Sequence, residues 1–433
     1  MSNKAGVKKV KMATTPAPAL VPRLRFPEFR GAGDWGIVKL KQLAKRVVAR
    51  NVQEAVSRVL TNSAEYGVID QRDYFDKDIA NKSNLGGYYI VEEGDYVYNP
   101  RISEMAPVGP TSKNNIGTGV MSPLYTVFRF HNRDNGFYAH YFASSHWHRY
   151  LREVSNSGAR HDRMAVSSGE FFDMPVPAPQ EKEQQKITDC LSSLDEVITL
   201  ESQKLEALKV HKKGLMQQLF PAEGETVPKL RFPEFRGAEG WEERQLGDLS
   251  RVVRGASPRP IQDHVTTDPD GLPWLRIGDV SDDAKYITKT EQRIRVDSID
   301  KTREVHPNDL ILSNSMSFGR PYILKISACI HDGWIAVSTI DRSVSSVYLY
   351  YFMLAAPSQS YFRDLAAGSG VQNLNSDIVK RLQVFVPDLP EQTRIVGCLS
   401  SLDEAITLES QKLDALKNHK YGLMQQLFPS AEV

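Results

Sequence analysis

ITDCLSSLDEVITLESQKLEALKVHKKGLMQQLFP, residues 187–221, returns 208 positions later as IVGCLSSLDEAITLESQKLDALKNHKYGLMQQLFP, residues 395–429, with about 29 of 35 positions unchanged. In the first block Ile187, Leu191, Leu194, Ile198, Leu205, Leu208, Leu215 and Leu219 advance mostly by threes and fours, with Glu201 and Lys212 filling polar gaps. The second block repeats the register with Ile395, Leu399, Leu402, Ile406, Leu413, Leu416, Leu423 and Leu427. An apolar seam at a period of 3.5 over that many turns predicts a coiled coil. Pro221 and Pro429, each after Leu-Phe, cannot continue a helix. A lone amphipathic helix would lay its stripe on its own domain. Two narrow seams with matching polar gaps are buried most simply against each other, as an antiparallel pair with a pseudo-twofold axis.

A second repeat brackets the rest. VPRLRFPEFRGAGDW at 21–35 matches VPKLRFPEFRGAEGW at 227–241. Between the repeated blocks the sequence diverges, yet a common frame remains. Trp35, Leu40, Leu43 and Val47 align with Trp241, Leu246, Leu249 and Val253. Gly94-Asp95 leads into Tyr96-Val97-Tyr98 as Asn308-Asp309 leads into Leu310-Ile311-Leu312. Tyr138, Tyr141 and Phe142 match Tyr348, Tyr351 and Phe352, and Ser157-Gly158 matches Ser369-Gly370. Runs such as 125–130 and 382–386 read as strands bounded by turn residues, and 138–154 and 348–365 are helical in spacing. The predicted fold class is α+β: two similar mixed α/β domains joined by two long antiparallel helices. The expected boundaries are a basic flexible tail at 1–20, a first domain at 21–180, a central helix at 181–221, a second domain at 222–390, and a distal helix with the C-terminal tail at 391–433.

Composition narrows the function classes. Cys190, Cys329 and Cys398 are too few and too scattered for a disulfide framework or a zinc site. No stretch reaches the roughly 18 apolar residues of a membrane span, and the Lys-containing N-terminus lacks the apolar core of a signal peptide, so a cytoplasmic setting is expected. The net charge of +1 gives no general pull toward polyanions. No G-x-x-x-x-G-K-[ST] phosphate loop occurs. Asn99-Pro100 begins like an amino-methyltransferase motif, but Arg101 stands where a second proline belongs. His161-Asp162 and His331-Asp332 read as turns rather than acid–base dyads, and no carboxylate cluster suggests a nuclease metal site.

If the chain binds DNA, its positive charge must be gathered on particular faces, and base reading would need Arg, Lys, Asn, Gln and Ser on loops. In the first domain the residues of that type are Arg101, Ser103, Lys113, Asn114, Asn115, Arg160, His161 and Arg163. In the second they are Arg254, Ser257, Arg259, Arg276, Ser313, Asn314, Ser315, Arg320, Gln372, Asn373 and Asn375. The loops 157–163 and 368–375 differ in sequence while the helices before them agree in frame, as loops reading different bases would.

The opening LRFPEF…W before each variable region, PWLRIGD at 273–279, GSGVQNLN at 368–375 and VPDLPEQTRI at 386–395 together resemble the specificity subunits of type I restriction-modification systems. The first domain departs from that pattern, reading VPAPQEKEQQKI at 176–187. The resemblance implies two target recognition domains that bind double-stranded DNA, and docking of two modification (methyltransferase) subunits and two restriction (helicase-nuclease) subunits. S-adenosylmethionine, ATP and Mg would belong to those partners, with no cofactor, metal or catalytic residue in this chain. A helix of about 36 residues is about 54 Å long, enough to set the spacing of two half-sites over more than one turn of B-DNA, about 34 Å. The competing readings are a stand-alone nuclease or methyltransferase with duplicated recognition domains, and a scaffold holding two domains that bind other ligands.

Overall fold

A computed structural model of the chain describes residues 20–74, 82–133, 136–155, 162–281, 283–314, 319–367 and 374–429. By contact the chain divides into two units, Met1–Glu201 with Lys412–Val433, and Ser202–Gln411. Each unit thus holds one variable domain and part of both long helices.

In the first unit a four-stranded antiparallel sheet runs in the order Ala44–Arg46, Thr126–Phe130, Tyr96–Tyr98, Thr111–Lys113. Its inner face is aromatic: Tyr96, Tyr98, Phe128 and Phe130 pack with Tyr138, Phe142, Trp147 and Phe171 in one buried cluster, and the Phe130 and Tyr138 rings stack at 4.5 Å. A separate ribbon, Gly36–Lys39 with Pro175–Ala178, ties the entry of the domain to its exit.

The second unit keeps the same strand order, Arg251–Arg254, Trp334–Ser338, Leu310–Ser313, Pro321–Leu324, and adds Tyr286–Ile287 at the edge. It also carries a second five-stranded sheet in the order Val265–Thr266, Gln292–Ile294, Leu272–Leu275, Ala328–Ile330, Arg303–Val305. Its entry and exit are tied by Glu242–Gln245 and Gln383–Val386. The alignment of Gly94-Asp95 with Asn308-Asp309 is structural. Gly94 (φ 83°) and Asn308 (φ 74°) both take the left-handed conformation. The Asp95 carboxylate accepts from the Glu92 amide at 2.9 Å, as that of Asp309 does from His306 at 2.8 Å.

The segments 138–154 and 348–365 are not single helices. The first divides into Phe137–Phe142 and His148–Val154. At the break the buried Trp147 indole donates to the carbonyls of Phe142 and Ser144, at 3.0 and 2.9 Å, and so satisfies a helix end. The second divides into Ser346–Leu354 and Ala356–Ala367. Pro357 has no amide to give the Met353 carbonyl, which accepts the Gln359 side-chain amide at 2.7 Å instead.

Two 39-residue helices, Glu181–Leu219 and Leu389–Leu427, carry the repeated seam. None of its sixteen apolar positions is exposed. In the first unit Asp195 pairs with Lys420 and Glu201 with Lys412, so the helices run antiparallel. In the second unit Lys204 pairs with Glu409 at 2.6 Å and Lys212 with Asp403. These are the same pairs shifted by 208 residues. Both polar gaps of the seam, Glu201 and Lys212, are therefore ion-pair positions. The ends of the seam enter domain cores: Ile187, Leu191, Leu423 and Leu427 in the first unit, Leu215, Leu219, Ile395 and Leu399 in the second. Leu194, Ile198, Leu205, Leu208, Leu402, Ile406, Leu413 and Leu416 make its middle. Among the described residues no helix is long and apolar enough to cross a membrane.

Candidate nucleic-acid interface

Each RFPEF segment is a clamp on the start of a long helix. Arg25 donates through Nε and Nη2 to both carboxylate oxygens of Glu183, at 2.7 and 2.8 Å. Arg231 grips Glu391 in the same way, at 2.8 and 2.7 Å, and the Trp241 indole adds a third donor to Glu391 at 3.2 Å. Lys186 lies over the Phe26 ring and Arg394 over Phe232. The bidentate fork holds the segment in one orientation, which an ammonium would not do.

In the first domain the loop 99–110 joins the inner strand Tyr96–Tyr98 to the edge strand Thr111–Lys113. The Asn99 amide donates to Pro110 O at 2.9 Å, and the Tyr98 hydroxyl to Val108 O at 3.0 Å. Gly109 (φ 82°) packs so closely that a Cβ would lie 2.0 Å from Asn99 O. Asn99 is a loop former: its side chain donates to Asn62 O and accepts from the Arg101 amide. The Ile102 amide donates to Asp162 O at 3.0 Å and the Met164 amide to Pro100 O at 2.9 Å, so Arg101 and Arg163 stand opposite each other in an antiparallel bridge. Arg101 is exposed and Arg163 half-buried. Two loops distant in sequence thus become one basic edge. Ser103 is exposed at a tight turn with Ala106, Lys113 is half-buried at the end of its strand, and Asn115 is exposed.

Asn114 is different. It is fully buried, donates to Glu92 O and Gly117 O at 2.9 Å each, and accepts from the Ile116 amide. It shapes the turn and presents nothing to a ligand, which corrects its reading as a base contact.

In the second domain Asp332 is the hub. Its carbonyl accepts Arg254 Nε at 2.9 Å and Asn314 Nδ2 at 2.8 Å. Its carboxylate accepts the Ser257 hydroxyl at 2.8 Å and lies 3.6 Å from Arg259. The Ser257 hydrogen bond holds this carboxyl below its usual range, against the opposing effect of partial burial. His331, whose imidazole burial pushes below its usual range, receives the Gly333 amide on Nδ1 at 2.6 Å. The sequence 331–334 is thus a turn feeding the strand Trp334–Ser338.

Ser313 and Asn314 are buried, with Asn314 bound into the 332–333 turn, so they too are corrected from readers to scaffold. Arg276 is held by Asp279 and Glu291, at 3.1 and 2.7 Å. Arg320 is half-buried beside the Tyr322 ring. Asn375 caps the helix Ser376–Lys380, accepting from the amides of Asp377 and Ile378. Arg160, His161, Ser315, Gln372 and Asn373 lie outside the described residues.

Two features escaped the sequence reading. Ser257, Arg259, Arg276 and His331 line a hollow of about 720 Å³ with Trp274 and Ile261. And Lys285 donates to the Tyr351 hydroxyl at 2.6 Å and to Asp403 at 3.3 Å, pinning the second domain to its helix. The only signal for the second was that Asp403 recurs as Asp195 in the other helix. Among the described residues no group of three or more His, Cys, Asp or Glu is arranged to hold a metal ion.

The family model described as "Type I restriction modification DNA specificity domain" matches twice, at residues 33–210 and 238–418. The Methanocaldococcus jannaschii protein named "Putative type I restriction enzyme MjaX specificity subunit" is 21% identical over 276 residues, 61% of this chain and 61% of that protein. The MjaVIII specificity subunit of the same organism is 23% identical over 208 residues, 46% of this chain and 44% of that one. The matches therefore span less than two thirds of these curated relatives. Among solved structures, a chain from work on complex assembly and conformational transition of the type I R-M system superposes with a TM-score of 0.58 at 16% identity, covering 92% of this chain and 98% of that one. The type I restriction-modification S subunit from M. genitalium gives 0.57 at 12% identity, covering 95% and 99%. At such identities the likeness is one of fold.

Proposed function

The chain belongs to the family of type I restriction-modification DNA specificity domains, and from that premise we propose that it is a non-catalytic specificity subunit whose two domains each read one half of an asymmetric, bipartite DNA target. The observation that carries this reading is one scaffold with two dissimilar polar edges. The same four-strand order supports Arg101 and Arg163 in the first domain, and Arg254, Ser257 and Arg259 around Asp332 in the second. Like heads would read a palindrome; unlike heads read unlike half-sites.

The repeated elements suit docking of two modification subunits. The Arg25–Glu183 and Arg231–Glu391 clamps repeat, and Leu200 and Leu408, at equivalent places in the two helices, stay exposed at 64% and 66%. Methyl transfer from S-adenosylmethionine, ATP-driven movement and Mg-dependent cleavage would then reside in modification and restriction subunits. The test is to express the chain with a modification subunit encoded beside it and map methylated adenines by long-read sequencing. An asymmetric motif split by unread base pairs is expected. A palindrome, or methylation unaffected by deleting this chain, overturns the proposal.

A further inference from the structure

The hollow of the second domain has a shape and chemistry that an ordinary groove-reading edge does not need. Pro260 and Ile261 give it apolar sides, buried Pro258 and Trp274 close it, and Arg276 and His331 supply its polar groups. It is built in advance. The Ser257–Asp332 and Arg254–Asp332 hydrogen bonds hold the segment 254–261 against the 331–333 turn. Gly255 lies so close to that turn that a Cβ there would be 2.0 Å from His331 O.

The charges around it are unequal. Arg276 is engaged by Asp279 and Glu291, while its buried Nε has no acceptor among the described residues. Arg259 at the lip is 84% exposed, and its nearest carboxylate, 3.6 Å away, already accepts Ser257. A preformed apolar hollow with a few polar groups inside and, at its mouth, an exposed guanidinium only loosely paired with Asp332 suits a flat heteroaromatic ring bearing an anionic tail.

We propose that this hollow binds a single nucleotide, its base between the Ile261 and His331 sides and its phosphate on Arg259. The proposal rests on the DNA-reading function and deepens it: the second domain would take one nucleotide out of the stack as well as read a groove, as proteins that capture extruded bases do. The same chemistry would suit a free mononucleotide, and the experiment separates the two sources.

The full chain is titrated with dAMP, dCMP, dGMP and TMP by saturation-transfer NMR. Ile261→Trp fills the slot and Arg259→Ala removes the lip charge; thermal unfolding checks that both variants fold. At least one nucleotide should bind, with loss in Ile261→Trp. Arg259→Ala should weaken the nucleotide about fivefold or more and leave the matching nucleoside unchanged. In parallel, duplexes of the methylation-mapped motif carry 2-aminopurine at each position of the half-site. A fluorescence rise with the wild-type chain that Ile261→Trp abolishes assigns the occupant to the DNA strand. Mononucleotide binding without that rise assigns it to a free nucleotide. If no nucleotide binds and no probe brightens, or if Ile261→Trp behaves as wild type, the hollow is not such a site. Tight motif-specific duplex binding in that event leaves the DNA-reading function standing, whereas absence of duplex binding with the modification subunit present removes that function separately.

Discussion

Arg101 and Arg163, sixty-two positions apart in sequence, face each other across a two-strand bridge in the first domain, their neighbours joined by amide–carbonyl hydrogen bonds of 3.0 and 2.9 Å. Among the described residues neither guanidinium is held by a close bidentate carboxylate, and the nearest to Arg163 is Asp162 at 3.8 Å. Two cations on one edge are therefore available to phosphates or to the O6 and N7 of guanine.

Arg101→Ala and Arg163→Ala should each weaken binding of the mapped duplex by the assembled complex. An arginine reading guanine would cost about 1–3 kcal/mol and relax the motif at one position; one on a phosphate would reduce the salt slope by about 1 without changing the motif. Anisotropy titrations over a range of salt distinguish these outcomes. Unchanged affinity and slope in both variants would remove this edge from the interface.

Glu183→Ala should be among the more damaging substitutions in the chain. Arg25 and Glu183 are both buried, and removing one leaves the other charge without its partner, at a cost of about 3–5 kcal/mol. Urea unfolding reads the loss as a lower midpoint. Arg25→Lys, which keeps Glu183 and a positive charge, should lose less, but it should not match the wild type because an ammonium cannot occupy both carboxylate oxygens from one plane.

Glu409 occupies a seam position at 6% exposure and pairs with Lys204. Glu409→Leu should leave stability unchanged or raise it by about 1 kcal/mol, since an apolar side chain at such a place escapes desolvation of the carboxylate. Register should suffer instead, because the polar pair disfavours a slipped alignment of two otherwise similar leucine rows. A cysteine pair placed across the helices in the second unit reports the slip by mixed disulfides; a uniform register would contradict this role.

Acid should destabilise the first domain through His140. Burial chiefly, with Lys420 acting in the same direction and Asp195 against it, pushes this imidazole down to about 4, while its ring nitrogen contacts the Ser192 hydroxyl at 3.2 Å. Unfolded, it titrates near its ordinary value of about 6.5. Between those values the unfolded chain binds a proton that the folded chain does not. Stability therefore holds above pH about 6.5 and falls as the pH drops toward 4, by up to about 3 kcal/mol. His146 and His148 are shifted in the same direction. His140→Gln should flatten the part of the urea midpoint's pH dependence that His140 supplies; an identical slope in the variant would show that other groups supply it.

The helices offer a test of spacing. Deleting seven residues from each removes about 10 Å of helix, or roughly three base pairs of duplex. The methylation motif should keep both half-sites and change the number of unread bases between them. Altered half-sites with an unchanged spacer would separate the helices from that role.

The long helices were legible because a heptad pattern is local: each leucine needs only its neighbours three and four places away to mark a stripe, and the repeat showed that two such stripes exist. The matched Glu201 and Lys212 gaps were visible as gaps, but their partners were not. A sequence cannot say that Lys412 and Asp403 stand across the seam until the antiparallel register is fixed. The aromatic frame of the domains was legible for the same reason as the seam, whereas the breaks at 143–147 and 355 depended on particular acceptors. Trp147 and Gln359 satisfy the freed carbonyls only because the tertiary fold brings their side chains there.

The candidate interface divides in the same way. Residue type placed Arg101, Arg163, Arg254, Ser257 and Arg259 among the polar loops, and the fold gathered them onto two edges. Residue type also placed Asn114, Ser313 and Asn314 there, and the fold buried all three. An asparagine that closes a turn and one that reads a base carry the same donor and acceptor. Sequence alone determined the duplication, the paired rods and the two-domain plan, since these follow from repetition and periodicity along the chain. Only the tertiary structure decided which polar groups reach solvent and which hold the scaffold, because burial is set by neighbours that sequence distance does not reveal.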